Sequence, residues 1–202
     1  MYEKYVKNII DRLLAGLALI LLSPIFLLTA LAIKIEDPKG KIFFIQERSG
    51  KDGIPFLCYK FRSMKMEAPK DQATWELDNA TSYITKVGAF IRKTSIDELP
   101  QLINIVKGDM SLVGPRPVIL KEEELIKLRK YFDALRVKPG ITGLSQISGR
   151  DNLPPRKKAE TDGEYASKVS FLNDLKIILK TIPQVLSSEG ISEGKKDDEN
   201  FK

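Results

Sequence analysis

The chain contains no histidine, one cysteine (Cys58) and one tryptophan (Trp75) among 202 residues. The lack of histidine removes Ser-His-Asp and Cys-His nucleophilic chemistry and every metal site built on imidazole. Acid–base or covalent chemistry must then use carboxylates, lysine or tyrosine. A single cysteine excludes an intramolecular disulfide and zinc-type spacing, and it fits a reducing compartment. With no histidine to activate it, Cys58 reads as a buried strand residue. There is no internal repeat. The aromatic platforms or reading helix of a nucleic-acid binder are also missing.

What is present is an ordinary globular mixture, 43% hydrophobic and 30% charged, with a formal net charge of +6. A basic surface suits phosphorylated ligands or an anionic membrane, and it also serves solubility.

The one long apolar run is Leu13 to Ile33, interrupted by Gly16, Ser23, Pro24 and Thr29. As one straight helix it would reach about 31 Å, just enough for a bilayer core. Pro24 lies near its middle, removes a backbone donor and crowds the carbonyl of Ile20. Ser23 is placed to satisfy the freed backbone. Lys4, Lys7 and Arg12 precede the run, and Lys34, Lys39 and Lys41 follow it. Equal positive flanks give no direction, so a kinked span and a re-entrant hairpin both fit. Ala30-Leu31-Ala32 resembles a signal-peptide cleavage site, but Glu3 and Asp11 spoil a basic leader.

After Pro38-Lys39-Gly40, the segments Ile42–Ile45 and Phe56–Arg62 read as strands around a turn at Ser49–Gly53. Period two puts Cys58, Lys60 and Arg62 on one face and Leu57, Tyr59 and Phe61 on the other. Met66 to Ser82 is polar and irregular, as a long loop would be. Three helical stripes follow: Leu99–Val106 ending at Gly108, Glu122–Leu135, and Val169–Ile182 with Lys168, Lys176 and Lys180 alongside. The last stripe suits either a membrane interface or a packed core. From Ser187 onward the chain is polar, as a frayed tail would be.

The carboxylates that stand out are in Ser95-Ile96-Asp97-Glu98-Leu99-Pro100-Gln101. Structurally this reads as a capping box, with Ser95 as N-cap and Glu98 three residues on. Chemically, a carboxylate at a helix start is a candidate nucleophile toward phosphorus or a metal ligand. Arg92 lies five residues before Asp97. Arg116 lies between Pro115 and Pro117, which stiffen it for forked recognition of phosphate oxygens. Lys138 to Gln146 is a Gly/Pro-rich turn that lets backbone approach a ligand; it matches no Walker loop or dinucleotide fingerprint.

Together these segments resemble the bacterial sugar transferase family, the monotopic phosphoglycosyl transferases. The resemblance is carried by Ser23-Pro24, Phe44–Gly50, Tyr59–Met64, Ser95–Gln101, Gly108–Pro117, Pro139–Gln146 and Asp162–Tyr165. Each motif is modest, and their order and spacing are specific. The length resembles the minimal members.

The resemblance implies a mostly helical α+β fold. It consists of a re-entrant membrane helix-break-helix over 1–37 broken at Ser23-Pro24, a catalytic domain over 38–186 with a short β-hairpin and amphipathic interface helices, and a flexible tail over 187–202. It further implies that Asp97 attacks the β-phosphorus of a UDP-sugar, releasing UMP, and that polyprenyl phosphate then takes the phospho-sugar. Glu98 would assist, and both carboxylates would serve Mg²⁺. Arg92, Arg116, Lys60, Arg62, Gln146 and Arg150 would contact phosphate or nucleotide. The implied location is the cytoplasmic face of the bacterial inner membrane, among membrane lipids, and the family pattern allows a homodimer. An inactive membrane-anchored scaffold is the alternative. Gly149-Arg150-Asp151 and Leu153-Pro154-Pro155-Arg156 depart from the family's usual Gly-Arg-Asn and following Trp, which bears on donor choice.

Overall fold

A computed structural model describes residues 2–69, 80–149 and 152–187. Trp75, Arg150, Asp151 and the expected tail after 187 lie outside the described residues.

The apolar run forms two helices, α1 (Lys7–Leu21) and α2 (Ser23–Glu36). The N-terminal segment from Tyr2 to Leu21 and α2 bend by 61° at Leu22. The cause is local: the carbonyl of Ile20 would normally receive the N–H four residues on, which Pro24 lacks. Ser23 Oγ donates to that carbonyl instead, at 2.7 Å. Among the described residues no single helix is long and apolar enough to cross a membrane. The bent pair leaves Leu13, Leu17, Ile20, Leu27, Leu28 and Leu31 exposed. It is seated by Ala15, buried with Leu102, Ile105 and Met110, and by Ile33, buried with Phe61 and Ile91.

The expected strands form an antiparallel hairpin, β1 (Phe43–Ser49) and β2 (Pro55–Phe61). Its register pairs Phe44 with Lys60 and Gln46 with Cys58. Cys58 is buried and free, and burial pushes its thiol above the usual value.

Two short helices follow, α3 (Ala80–Tyr83) and α4 (Lys86–Lys93). The polar stretch expected to be loop up to Ser82 therefore ends in helix. Next is α5 (Gln101–Lys107), closed by Gly108 at φ 94°. The buried side in α5 is Leu102 and Ile105, while Val106, expected on the stripe, is exposed. Asn104, fully buried, joins α5 to β2: its Nδ2 donates to the Leu57 carbonyl (2.7 Å) and its Oδ1 accepts from Tyr59 N–H (3.0 Å).

A parallel pair, β3 (Ser111–Val113) with β4 (Gly140–Thr142), was not foreseen in the sequence. Three-residue strands give too little alternation to read. The helix expected over 122–135 is α6 (Glu123–Tyr131), and it stops because Asp133 takes a left-handed φ of 56°. Helices α7 (Leu144–Ile147), α8 (Pro155–Ser167) and α9 (Phe171–Ser187) complete the fold. Leu172, Leu175, Leu179 and Ile182 of the apolar stripe in α9 are exposed, Ile178 of the same stripe is half-buried against the core, and α9 buries Ile177 and Asp174.

A buried polar network ties the ends together. Lys7 Nζ donates to Asp174 at 2.7 Å and lies 3.3 Å from Asp11. Tyr2 and Tyr165 also donate to Asp174, at 2.7 and 2.8 Å.

Candidate active site

The site is assembled where α4, the turn after it, and the β-hairpin converge. Helix α4 is capped by Thr85, whose hydroxyl accepts from Gly88 N–H at 2.9 Å. Gly88 lies so close to the Ser63 carbonyl that a Cβ there would collide with it. This contact sets Arg92, at the end of α4, beside the end of β2.

Ser95 then adopts a left-handed conformation, φ 56°, uncommon for a non-glycine residue. Such conformations cost about 1–3 kcal/mol and cluster at functional sites. The capping box expected at Ser95 is not formed: its side chain caps nothing, and Ile96–Glu98 is a separate turn of 3-10 helix. The physical reason is Pro100, whose ring starts a new helix, so α5 begins at Gln101.

Asp97 and Glu98 are each 8% exposed, yet their surroundings differ. Glu98 Oε1 accepts from Lys60 Nζ (2.8 Å) and from Arg116 Nη2 (2.7 Å). Its Oε2 accepts from Arg116 Nη1 at 3.2 Å. Burial opposes ionisation of Glu98, but the charges and hydrogen bonds of Arg116 and Lys60 outweigh it and hold the carboxyl well below its usual range. Among the described residues no side chain hydrogen-bonds the Asp97 carboxyl. Burial pushes it up to about 6, helped by the Glu98 charge and opposed by Lys60, Arg92 and Arg116.

Asp97 opens into a cavity of about 110 Å³ with Lys60, Arg62, Lys65, Arg92 and Arg48 around it. One carboxylate among five such cations suits the charge of a diphosphate. The size fits phosphate groups rather than a whole ligand, for which pockets of roughly 300 Å³ or more are usual. Lys60 and Arg92 were expected here. Arg62 also lines the cavity, but its Nη1 pairs with Asp37 at 2.6 Å and its Nε donates to the Lys41 carbonyl at 2.5 Å. Arg48 was missed as a site residue. Period two along β1 places Phe44, Gln46 and Arg48 on the Lys60 face, so carrying the alternation across the hairpin would have found it.

Arg116 is positioned from behind. Its carbonyl accepts from Arg129 Nη1 at 2.8 Å, and Arg129 pairs with Asp162 at 2.6 Å, the two being 2% and 1% exposed at the side chain. Neither was foreseen as a support for Arg116.

A second cavity, about 530 Å³, lies on the other side of the pair. Glu98 borders it together with Ser95, Gln146 and a mainly apolar wall. Gln146, expected with the nucleotide contacts, faces this second cavity and not the Asp97 cavity. Its Nε2 donates to the Ile141 carbonyl at 3.1 Å, and its buried Oε1 has no partner among the described residues.

Among the described residues there is no group of three acidic, cysteine or histidine side chains that could hold a metal. Asp97 alone, or Asp97 with Glu98, does fit an ion such as Mg²⁺, which takes one or two carboxylates and completes its shell with phosphate and water oxygens. Among the described residues no side chain occupies the Asp97 oxygens, whereas those of Glu98 already accept three charge-assisted bonds.

The family profile described as "Bacterial sugar transferase" matches residues 2–188. The chain belongs to the bacterial sugar transferase family. This family member is 42% identical to the exopolysaccharide production protein ExoY of Sinorhizobium fredii, over 91% of this chain and 87% of the relative. It is 41% identical to the UDP-glucose:undecaprenyl-phosphate glucose-1-phosphate transferase of Escherichia coli, over 89% of this chain and 40% of the relative. It is 39% identical to the undecaprenyl-phosphate galactose phosphotransferase of Salmonella typhimurium, covering 93% of this chain and 42% of that one. The chain thus spans less than half the length of the latter two and most of ExoY.

Proposed function

We propose that the chain transfers a phospho-sugar from a UDP-sugar to polyprenyl phosphate, giving polyprenyl-diphosphate-sugar and UMP. The observation that carries this reading is the contrast within the pair: Asp97, with no side-chain hydrogen bond among the described residues, faces a cation-lined cavity, while Glu98 is fixed by Lys60 and Arg116. Family membership and the printed names of the Escherichia coli and Salmonella relatives support the donor and acceptor classes.

In this reading an oxygen of ionised Asp97 forms a bond to the β-phosphorus of the donor. The bond from that phosphorus to the UMP oxygen breaks, and UMP leaves with the electron pair. An oxygen of the lipid phosphate then bonds to the same phosphorus, and the Asp97 carboxylate is released. The work of the protein in phosphoryl transfer is positioning and charge neutralisation. Arg92, Arg48 and Lys60 supply the charge on the Asp97 side, and Arg116 with Lys60 keeps Glu98 ionised and still. When bound, Mg²⁺ would offset diphosphate charge, with Asp97 its most available carboxylate.

The bent α1–α2 pair, exposed on its apolar side, and the exposed stripe of α9 support a re-entrant anchor and an interfacial helix. Positive charge at both ends of the run supports a cytoplasmic position for both flanks. The donor is water-soluble and the acceptor is held in lipid, so a site at the interface serves both.

The test is intact-mass spectrometry of the detergent-solubilised chain with Mg²⁺ and a panel of UDP-sugars, without lipid acceptor, while UMP is followed. A sugar-phosphate mass increment with UMP, absent in Asp97→Asn, is the expected result. UMP appearing only after polyprenyl phosphate is added, with no adduct, would replace the covalent step by direct transfer.

A further inference from the structure

A third cavity, about 480 Å³, lies at the start of the chain and shares no lining residue with the two beside Asp97 and Glu98. Five cations line it, Lys4, Lys7, Lys51, Arg136 and Lys138, against one carboxylate, Glu3. They come from three stretches of sequence: the N-terminal turns, the tip of the β-hairpin, and the segment that leads into β4. Part of this charge is already matched. Lys7 pairs with Asp174 and Asp11, and Arg136 pairs with Glu3 at 3.1 Å and with Asp133 at 3.4 Å. Lys4, Lys51 and Lys138 have no carboxylate partner among the described residues. Lys138 Nζ donates instead to the neutral amide oxygen of Asn8, at 2.8 Å. Burial, with the charges of Arg12 and Lys51, holds the Lys138 ammonium below its usual value, and Asp11 and Asp109 offset only part of this. An anion in the cavity relieves that repulsion.

Apolar side chains are exposed beside this cationic space. The turns that carry Lys4 and Lys7 expose Tyr5 and Ile9, and α1 continues into exposed Leu13 and Leu17. Val169 lines the cavity, and Phe171 and Leu172 just after it are exposed at the start of α9. Phe171 meets Tyr2 edge-on, which joins the two apolar stretches. We infer that this cavity takes the phosphate of an anionic phospholipid headgroup, whose acyl chains follow the exposed apolar side chains of α1 and of the start of α9. The phosphodiester supplies the negative charge that the lysines lack. A free phosphate would satisfy the same lysines, but the volume is that of a larger ligand and the apolar neighbours suit an amphiphile. The inference uses the membrane position proposed above and is independent of the transfer reaction. One bound lipid would bridge the first turns of the chain, the hairpin tip and the approach to β4, and so fix how the chain sits at the membrane surface.

The experiment is native mass spectrometry of the whole detergent-solubilised chain with short-chain phosphatidylglycerol, below its micelle concentration. Phosphatidylcholine of the same chain length and inorganic phosphate are the comparisons. The parent is expected to retain phosphatidylglycerol and to release phosphatidylcholine at the same concentration. Lys51→Gln and Lys138→Gln should each weaken that retention about fivefold, the scale for one lysine at an anionic lipid surface, and Lys138→Arg should keep it. Lys51 is exposed at the hairpin tip, so Lys51→Gln carries the test if Lys138→Gln does not fold. UMP release by Lys51→Gln is expected to stay at the parent's level. Lys121→Gln combined with Lys130→Gln removes two exposed lysines outside the cavity. An equal loss in that variant would mean attraction spread over the surface, and it overturns the inference. So does equal retention of phosphatidylcholine. Displacement of phosphatidylglycerol by inorganic phosphate at equal concentration overturns it as well, by making this a free-phosphate site. The assay contains no bilayer and no UDP-sugar, so it decides the cavity even if the chain fails to bind membranes or to release UMP.

Discussion

Arg116 grips Glu98 with both arms of its guanidinium, Nη2 to Oε1 at 2.7 Å and Nη1 to Oε2 at 3.2 Å. A fork of this kind fixes direction as well as charge. Lysine would keep the charge and lose the second bond. Arg116→Lys is therefore expected to fold and to lose turnover by roughly 100-fold, the scale for removing one aligned charge-stabilising donor. Steady-state UMP release measures this, and turnover within twofold of the parent would show that the fork has no role.

The two carboxylates should respond to neutralisation with opposite signs. Burial holds Asp97 up at about 6, above its ordinary 3.8, so the folded chain binds a proton more tightly there than the unfolded chain. Its contribution to stability therefore falls as pH rises from about 3.8 through about 6. At pH 7.5, Asp97→Asn should stabilise the fold by roughly 1–3 kcal/mol while abolishing the adduct. Glu98 is held below its ordinary 4.5, so its stabilisation is present above that value and is lost as pH falls through the lower, folded value. Glu98→Gln strands Lys60 and Arg116 in a partly buried place and should cost roughly 2–4 kcal/mol. Thermal unfolding in one detergent compares the pair, and a shared direction of shift would contradict the assignment.

Activity should follow Asp97 in the opposite sense to its stability term. The attacking form is the carboxylate, so the lipid-free half-reaction should increase about tenfold per pH unit below about 6 and level off above it. Rapid-quench measurement of UMP between pH 4.5 and 8 provides the profile. A rate already flat at pH 5 would mean that Asp97 is ionised well below the value its burial sets.

The bend at Leu22 predicts a topology. With Cys58→Ser as background, Lys4→Cys and Lys39→Cys should react with an impermeant thiol reagent from the same side of the membrane. Pro24→Ala restores the N–H that the Ile20 carbonyl lacks and should straighten the pair, moving the two labels to opposite sides. Labels on opposite sides in the parent would replace the hairpin by a span. Ser23→Ala removes the hydroxyl that now serves Ile20 and should cost about 1–3 kcal/mol.

Much of this fold was legible because it is local. The Pro24 break, the hairpin with its alternating faces, and the Gly108 stop each follow from a few adjacent residues. The Asp97-Glu98 pair was visible as chemistry, but its backbone was not: Ser95 reads as a cap, whereas the chain takes a left-handed turn there. The division of labour between the two acids was hidden as well. It depends on Lys60 and Arg116, which approach from segments 38 and 18 residues away. The Arg129–Asp162 support and the parallel β3–β4 pair are likewise long-range, and period-based reading carries no signal for them.

Lys7 and Asp174 meet across 167 residues, and this distance puts a schedule on biogenesis. The bent pair leaves the ribosome before α9, with its lysine still unmatched. At about 5–20 residues per second, its partner on α9 is made on the order of ten seconds later. Through that interval the bent pair lacks this buried contact. A helix made late is then the one that latches a helix made early.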